Sequence, residues 1–158
     1  MTAKIDNLIS LLKKGKITLT TAESASCGEV ANILGSYKGI SQIYKGGFIT
    51  YWTEMKTTLL GIPADFIAKH GVVSSEVAYH MARQAALKTK SQIGVSITGN
   101  AGPTVLDNKP VGNFFIGISN FNKTVCYEIQ LDSQNSREQN RKEIAIKALE
   151  LLYDYLVK

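Results

Sequence analysis

Cysteine is scarce in this chain: there are two, Cys27 and Cys126. They form no metal-binding spacing and cannot make a disulfide framework, so a reducing, cytoplasmic setting is expected. No apolar run approaches the roughly 20 residues that a membrane-spanning helix needs. The first apolar pattern carries Asp6 and Lys13 and shows no small-residue cleavage site, so no signal peptide is expected. Repeats, linkers and low-complexity tracts are missing as well. The formal charge is +5, but the basic residues are scattered and no arginine-rich or aromatic-interleaved stripe occurs. That argues against nucleic acid as the partner. What remains is an ordinary globular composition over 158 residues, enough chain to bury a core without staples. Residues 1–158 are read as a single domain.

The periodicities give an order of elements. Ile5, Leu8, Ile9 and Leu12 lie at helical spacing, which predicts a helix over 2–14 with Gly15 as its stop. β-Branched residues predict a strand over 16–22, and Val30, Ile33 and Leu34 a helix over 27–34. "GGFITYW" predicts a second strand over 46–52, followed by short helices at 54–60 and from Pro63 to Gly71. Ser74 or Ser75 caps a longer helix. "QIGVSITG" (92–99) is almost wholly apolar and reads as a central strand. A loop over 100–112, a hairpin from "NFFIGIS" and "TVCYEIQL", and a last helix over 136–157 complete the chain. Strands alternate with helices early and pair antiparallel late. The expected fold class is therefore α/β: a three-layer α/β/α sandwich with a mixed, mostly parallel sheet. Such a fold offers sheet edges and helices for self-association, and a homo-oligomer is expected.

Ligands of open α/β sheets bind beyond the carboxyl ends of the strands. Three polar segments follow predicted strands here: "AESASCGE", "YWTEMK" and "TGNAGP". The first places Ser24, Ser26 and Cys27 at a strand-to-helix turn, where free amides suit a phosphate or an oxyanion. Serine needs a base to become a nucleophile. His70 precedes a helix-stop glycine and His80 lies inside a helix, so neither is promising; a lysine made neutral by burial is the remaining option. Lys56 follows the second strand with Tyr51 nearby, although spacing alone does not separate it from a solvated helix lysine. The glycines of "TGNAGP" let backbone amides approach an anion, yet the segment matches no dinucleotide or P-loop fingerprint. Arg137 and Arg141 stand four apart at the start of the last helix, where cations oppose the helix dipole unless a phosphate binds there.

Taken together, "TTAESASCGEVA", "GGFITYWTEMKTTLLGI", "HGVVSSEVAYHMA", "SITGNAGP", "KPVG" and "REQNRKE" resemble, in order, the blocks of the CinA C-terminal domain family. The resemblance runs from about residue 17 to 152. It implies an α/β/α fold and, for many members, nicotinamide-nucleotide amidase activity: nicotinamide mononucleotide is hydrolysed to nicotinate mononucleotide and ammonia by a serine nucleophile and a lysine base, with no metal and no cofactor. Carried over by position, the nucleophile falls on Ser24, the base on Lys56 and the family tyrosine on Tyr51. Ser26, Cys27 and Gly28, with Thr98, Gly99, Ala101 and Gly102, fall on the substrate-binding segments. The family arginine falls on Arg137, with Arg141 as a second phosphate ligand. Two departures stand out. The family pattern "AESCTGG" reads "AESASCG" here, so Cys27 replaces a glycine; "TVLDN" (104–108) replaces a glycine-rich stretch. A positive φ at Cys27 would cost about 1 kcal/mol. The readings carried forward are thus a nicotinamide mononucleotide amidase, a nucleotide-binding relative with weakened chemistry, and a serine amidase with another small substrate. Cys27 as the nucleophile is a further one.

Overall fold

The sheet is built by local signals that the helix ends make plain. In a computed structural model that describes residues 2–158, α1 (Ala3–Gly15) buries Ile5, Leu8, Ile9 and Leu12. It runs through Gly15, and Lys16 closes it in a left-handed conformation with its N–H on the carbonyls of Leu12 and Lys13. Next come β1 (Leu19–Glu23), α2 (Glu29–Gly35), a 3-10 turn at Ile40–Gln42, and β2 (Tyr44–Ile49). Helices α3 (Thr53–Leu60), α4 (Ala64–His70) and α5 (Ser75–Thr89) lead to β3 (Ile93–Gly99). The hairpin β4 (Asn113–Ser119) and β5 (Thr124–Gln130) precedes α6 (Arg137–Leu156). Ser74 caps α5 by accepting from Val77 N–H at 3.2 Å, and Ser136 with Gln139 makes a reciprocal capping box on α6.

The expected strand over 46–52 is displaced. Strand β2 begins at Tyr44 and ends at Ile49; Tyr51 and Trp52 lie beyond it, exposed, with Trp52 at the N-cap of α3. Their aromatic side chains imitate strand composition, but β2 is an edge strand whose last backbone partners lie before them.

The sheet order is β2-β1-β3-β4-β5. Pairs β2–β1 and β1–β3 are parallel; β3–β4 and β4–β5 are antiparallel. Four strands therefore point one way and β4 alone opposes them. Strand β3 is central, as its apolar run predicts. One face of the sheet is covered by α1, α2 and α6, the other by α3, α4 and α5. On β4, Phe114, Ile116 and Ile118 join the first layer while Phe115 joins the second, the period-two alternation of a strand buried on both sides. Each such side chain contributes about 1.5–3 kcal/mol on leaving water. Helix α5 lies directly on the sheet because Gly94 and Gly117 lack side chains: a Cβ at either would collide with the carbonyl of Ala82 or of Ala78. Among the described residues no helix is long and apolar enough to cross a membrane.

The register fixes the top of the sheet. Glu23 pairs with Ile49 on one side and Ile97 on the other. The ladder then continues one step: Ser24 N–H donates to Ile97 O at 3.0 Å and Thr50 N–H to Glu23 O at 2.9 Å. Ser24 and Thr50 thus leave the carboxyl ends of β1 and β2 together, level with Thr98 near the end of β3.

Candidate active site

Between β1 and α2 the chain turns within five residues. Cys27 N–H donates to Ser24 O at 3.0 Å, and Cys27 (φ 47°) and Gly28 (φ 94°) both take left-handed conformations. The position that carries Cys27 therefore does require positive φ, and a Cβ is accommodated there at a cost of about 1 kcal/mol. The buried carboxylate of Glu23 holds the turn from beneath. It accepts from Ser26 Oγ at 2.8 Å and from the N–H groups of Val30 and Ala31 at 2.9 and 3.1 Å. Those two amides belong to the first turn of α2, where a negative group is favoured. Ser24 is left at the crest, 8% exposed.

Lys56 projects inward from α3 and is 1% exposed. Its Nζ lies 2.9 Å from Ser24 Oγ and 2.7 Å from Thr50 O. Among the described residues no carboxylate is a hydrogen-bond partner of its Nζ. Burial without a compensating negative charge disfavours the ammonium form and pulls its pKa down to about 8. A lysine in this state is a base near neutrality, and its Ser24 contact has the geometry of a nucleophile–base pair.

Ser24 opens into a cleft of about 190 Å³ lined also by Ala25, Tyr51, Gly99, Ala101 and Arg137. The guanidinium of Arg137 crosses its mouth, donating to Gly102 O at 2.7 Å and to the hydroxyl of the half-exposed Tyr51. The N–H groups of Ala25 and Ala101 have no acceptor among the described residues, and both residues line the cleft.

The remaining sequence-predicted residues surround this cleft in other ways. Ser26 is buried beneath the turn and spends its hydroxyl on Glu23. Thr98 donates to Val72 O at 2.8 Å, tying β3 to the segment before α5. Arg141 pairs with Glu29 at 3.2 Å and donates to Ser26 O at 3.4 Å, so it braces the turn. Cys27 is partly buried and Gly28 supplies the N-cap of α2. The two histidines pack on Phe66, and neither lines the cleft.

Two supporting residues escape sequence reasoning. Asn140, fully buried on α6, donates to Ala101 O at 3.1 Å and so holds the 99–102 loop. Its signal is a polar residue on the apolar stripe of the last helix, four before Ile144. Asn100 binds the loop after it through both ends of its amide; asparagine in an otherwise small-residue loop is a weak sign. Glu23 is visible in the motif, but its role depends on tertiary burial.

Comparison with known proteins places the whole chain. The family model described as the CinA C-terminal domain matches residues 2–156. A protein of Streptococcus pyogenes serotype M2 (strain MGAS10270), named as a competence-damage inducible protein, is 41% identical over 148 residues, or 94% of this chain and 35% of that relative. A protein of the same name from Streptococcus equi subsp. equi (strain 4047) is 40% identical over 94% of this chain and 35% of its own length. The chain thus spans about a third of these relatives. Among solved structures, the competence damage-inducible protein A of Klebsiella pneumoniae superposes with a TM-score of 0.93 at 22% identity, covering 98% of this chain and 95% of that one. The competence/damage inducible protein CihA of Agrobacterium tumefaciens gives 0.87 at 27%, covering 96% and 95%.

Proposed function

The chain belongs to the CinA C-terminal domain family, and from that premise we propose that it is a serine amidohydrolase acting on the carboxamide of nicotinamide mononucleotide or a similar nucleotide. One observation carries the reading: the buried, carboxylate-free Lys56 at 2.9 Å from Ser24 Oγ.

In the neutral form Lys56 Nζ keeps one N–H on Thr50 O, which turns its lone pair toward the Ser24 hydroxyl. Ser24 Oγ attacks the amide carbon while its proton passes to Nζ. The oxyanion is held by the N–H groups of Ala25 and Ala101. Each such donor is worth roughly a hundredfold to a thousandfold in rate, and base assistance a further hundredfold to ten-thousandfold. The ammonium of Lys56 then protonates the departing nitrogen, the C–N bond breaks, and ammonia leaves an ester on Ser24. Water attacks that ester, returning a proton through Lys56 to Ser24 Oγ and releasing the carboxylate. Arg137 at the mouth of the cleft would meet the substrate phosphate by exchanging its Tyr51 contact for phosphate oxygens. Arg141 is bound to Glu29 and supports the turn.

The test is ammonia release from nicotinamide mononucleotide by the purified protein beside Ser24→Ala and Lys56→Ala. Loss of at least a thousandfold in both variants is expected. Equal turnover in Ser24→Ala would refute the serine mechanism; turnover lost only on alkylation of Cys27 would transfer the role to that thiol.

A further inference from the structure

Leu106 stands in two cavities at once. It lines the 190 Å³ cleft beside Ser24 and also a larger cavity of about 440 Å³. The larger one is walled by the outer side of α3 (Thr53 and Thr57), by Ile67 and Ala68 of α4, and by Val72. Neither Ser24 nor Lys56 reaches it. The side chain of Leu106 is 55% exposed, although its backbone is among the most tightly held in the loop.

That backbone is clamped by one residue. The Leu106 N–H donates to Asn100 Oδ1 at 2.9 Å, and Asn100 Nδ2 donates back to Leu106 O and to Lys109 O, both at 3.1 Å. The next residue, Asp107, accepts from Val73 N–H at 2.8 Å, anchoring the loop to the approach of α5. A surface loop would not need a two-ended amide clamp to remain a connection. The clamp fixes where one apolar side chain stands. It also ties down "TVLDN" (104–108), the stretch of this loop that departs from the family pattern.

We infer that Leu106, held in place by Asn100, is the partition that sets the size of acyl group admitted to Ser24, and that the cavity behind it is a latent subsite for an apolar extension of that group. The inference rests on the serine amidase reading. With Leu106 in place, a single planar ring carrying its carboxamide fits the cleft. A chain extending past Leu106 meets a fixed side chain. Removing that side chain joins the two cavities, and the added wall is apolar apart from threonine hydroxyls and the carboxylates of Glu54 and Asp107. A neutral aliphatic or aryl extension suits it; an anionic one does not.

The experiment uses p-nitrophenyl acetate, butyrate and octanoate with the parent, Leu106→Ala, Leu106→Trp and Ser24→Ala. Nitrophenolate release and the acyl mass on Ser24 are both read. The parent should prefer acetate. Leu106→Ala should raise the octanoate-to-acetate ratio of kcat/KM by about tenfold or more, the discrimination that a few methylenes give in an apolar pocket. The change should fall in KM for the longer esters. Leu106→Trp should lower the butyrate ratio instead. Ser24-dependent acylation with the same length profile in all Leu106 variants would overturn the partition and leave the amidase reading standing. No Ser24-dependent acylation in any variant would overturn both.

Discussion

In the proposed mechanism Lys56 is the residue on which the chemistry turns, because burial rather than residue type lowers its pKa. Held at about 8 by burial, it is neutral in roughly a tenth of molecules at pH 7. Turnover should therefore rise about tenfold between pH 6 and 7, continue upward, and level off just above pH 8. A kcat profile that climbs without a plateau to pH 10 would place the base elsewhere or leave Lys56 solvated. Lys56→Arg should be inactive across the range, since a guanidinium cannot give up its proton in a protein. At this scale the sequence was informative about chemistry and silent about proximity. Ser24 is legible as a serine at a strand-to-helix turn; Lys56 is one lysine among many. The pair is separated by 32 positions, and only the parallel register that sets Thr50 beside Ser24 brings them together. Cys27 shows the opposite balance. Its replacement of a glycine is visible at once, while the tolerance of the turn for its left-handed Cβ is not.

The element that decides the shape of the site is the turn from β1 into α2, and Glu23 is what holds it. Three donors converge on that buried carboxylate: the Ser26 hydroxyl and the amides of Val30 and Ala31. Glu23→Ala leaves all three without an acceptor. A loss of about 3 kcal/mol in unfolding free energy is expected, at the upper end of what single substitutions cost when buried donors are orphaned. Glu23→Gln keeps an acceptor oxygen for two of the donors and should lose less than half as much. Urea titration of both variants checks this; equal midpoints for Glu23→Ala and the parent would mean that the turn is held by something else. Helices were legible where caps announce them. Ser74 and Ser136 begin α5 and α6 where the pattern places them, and both glycine-ended helices stop within a residue of expectation. Strand β2 was less legible, because Tyr51 and Trp52 extend the aromatic composition past the last backbone pair. Both side chains are exposed and Tyr51 lines the cleft, so aromatic residues of the surface look like a strand.

Across the whole molecule the layers were legible from alternation of elements, but the strand order was not. Nothing local to residues 16–22 states that they lie between the second and third strands; that follows from which faces α2 and α5 must cover and from the close approach of α5 at Gly94 and Gly117. The same packing forces an ionisable group inside. The unfolded chain keeps the Lys56 proton up to about 10.5, the folded one only to about 8. Between those values unfolding takes up a proton, so this residue's contribution to stability rises with pH over that window. Below about pH 8 the folded state bears the full penalty, about 3 kcal/mol for a shift of this size; above 10.5 the penalty is gone. Lys56→Met removes the titration and keeps the bulk. At pH 7 it should unfold at higher urea than the parent while being inactive, and the gap should close as the pH is raised toward 10. Denaturation curves for the two proteins at pH 7, 8.5 and 10 settle the matter. A constant difference between them would mean that folding does not lower the Lys56 pKa, and the base would then lose the property on which the mechanism depends.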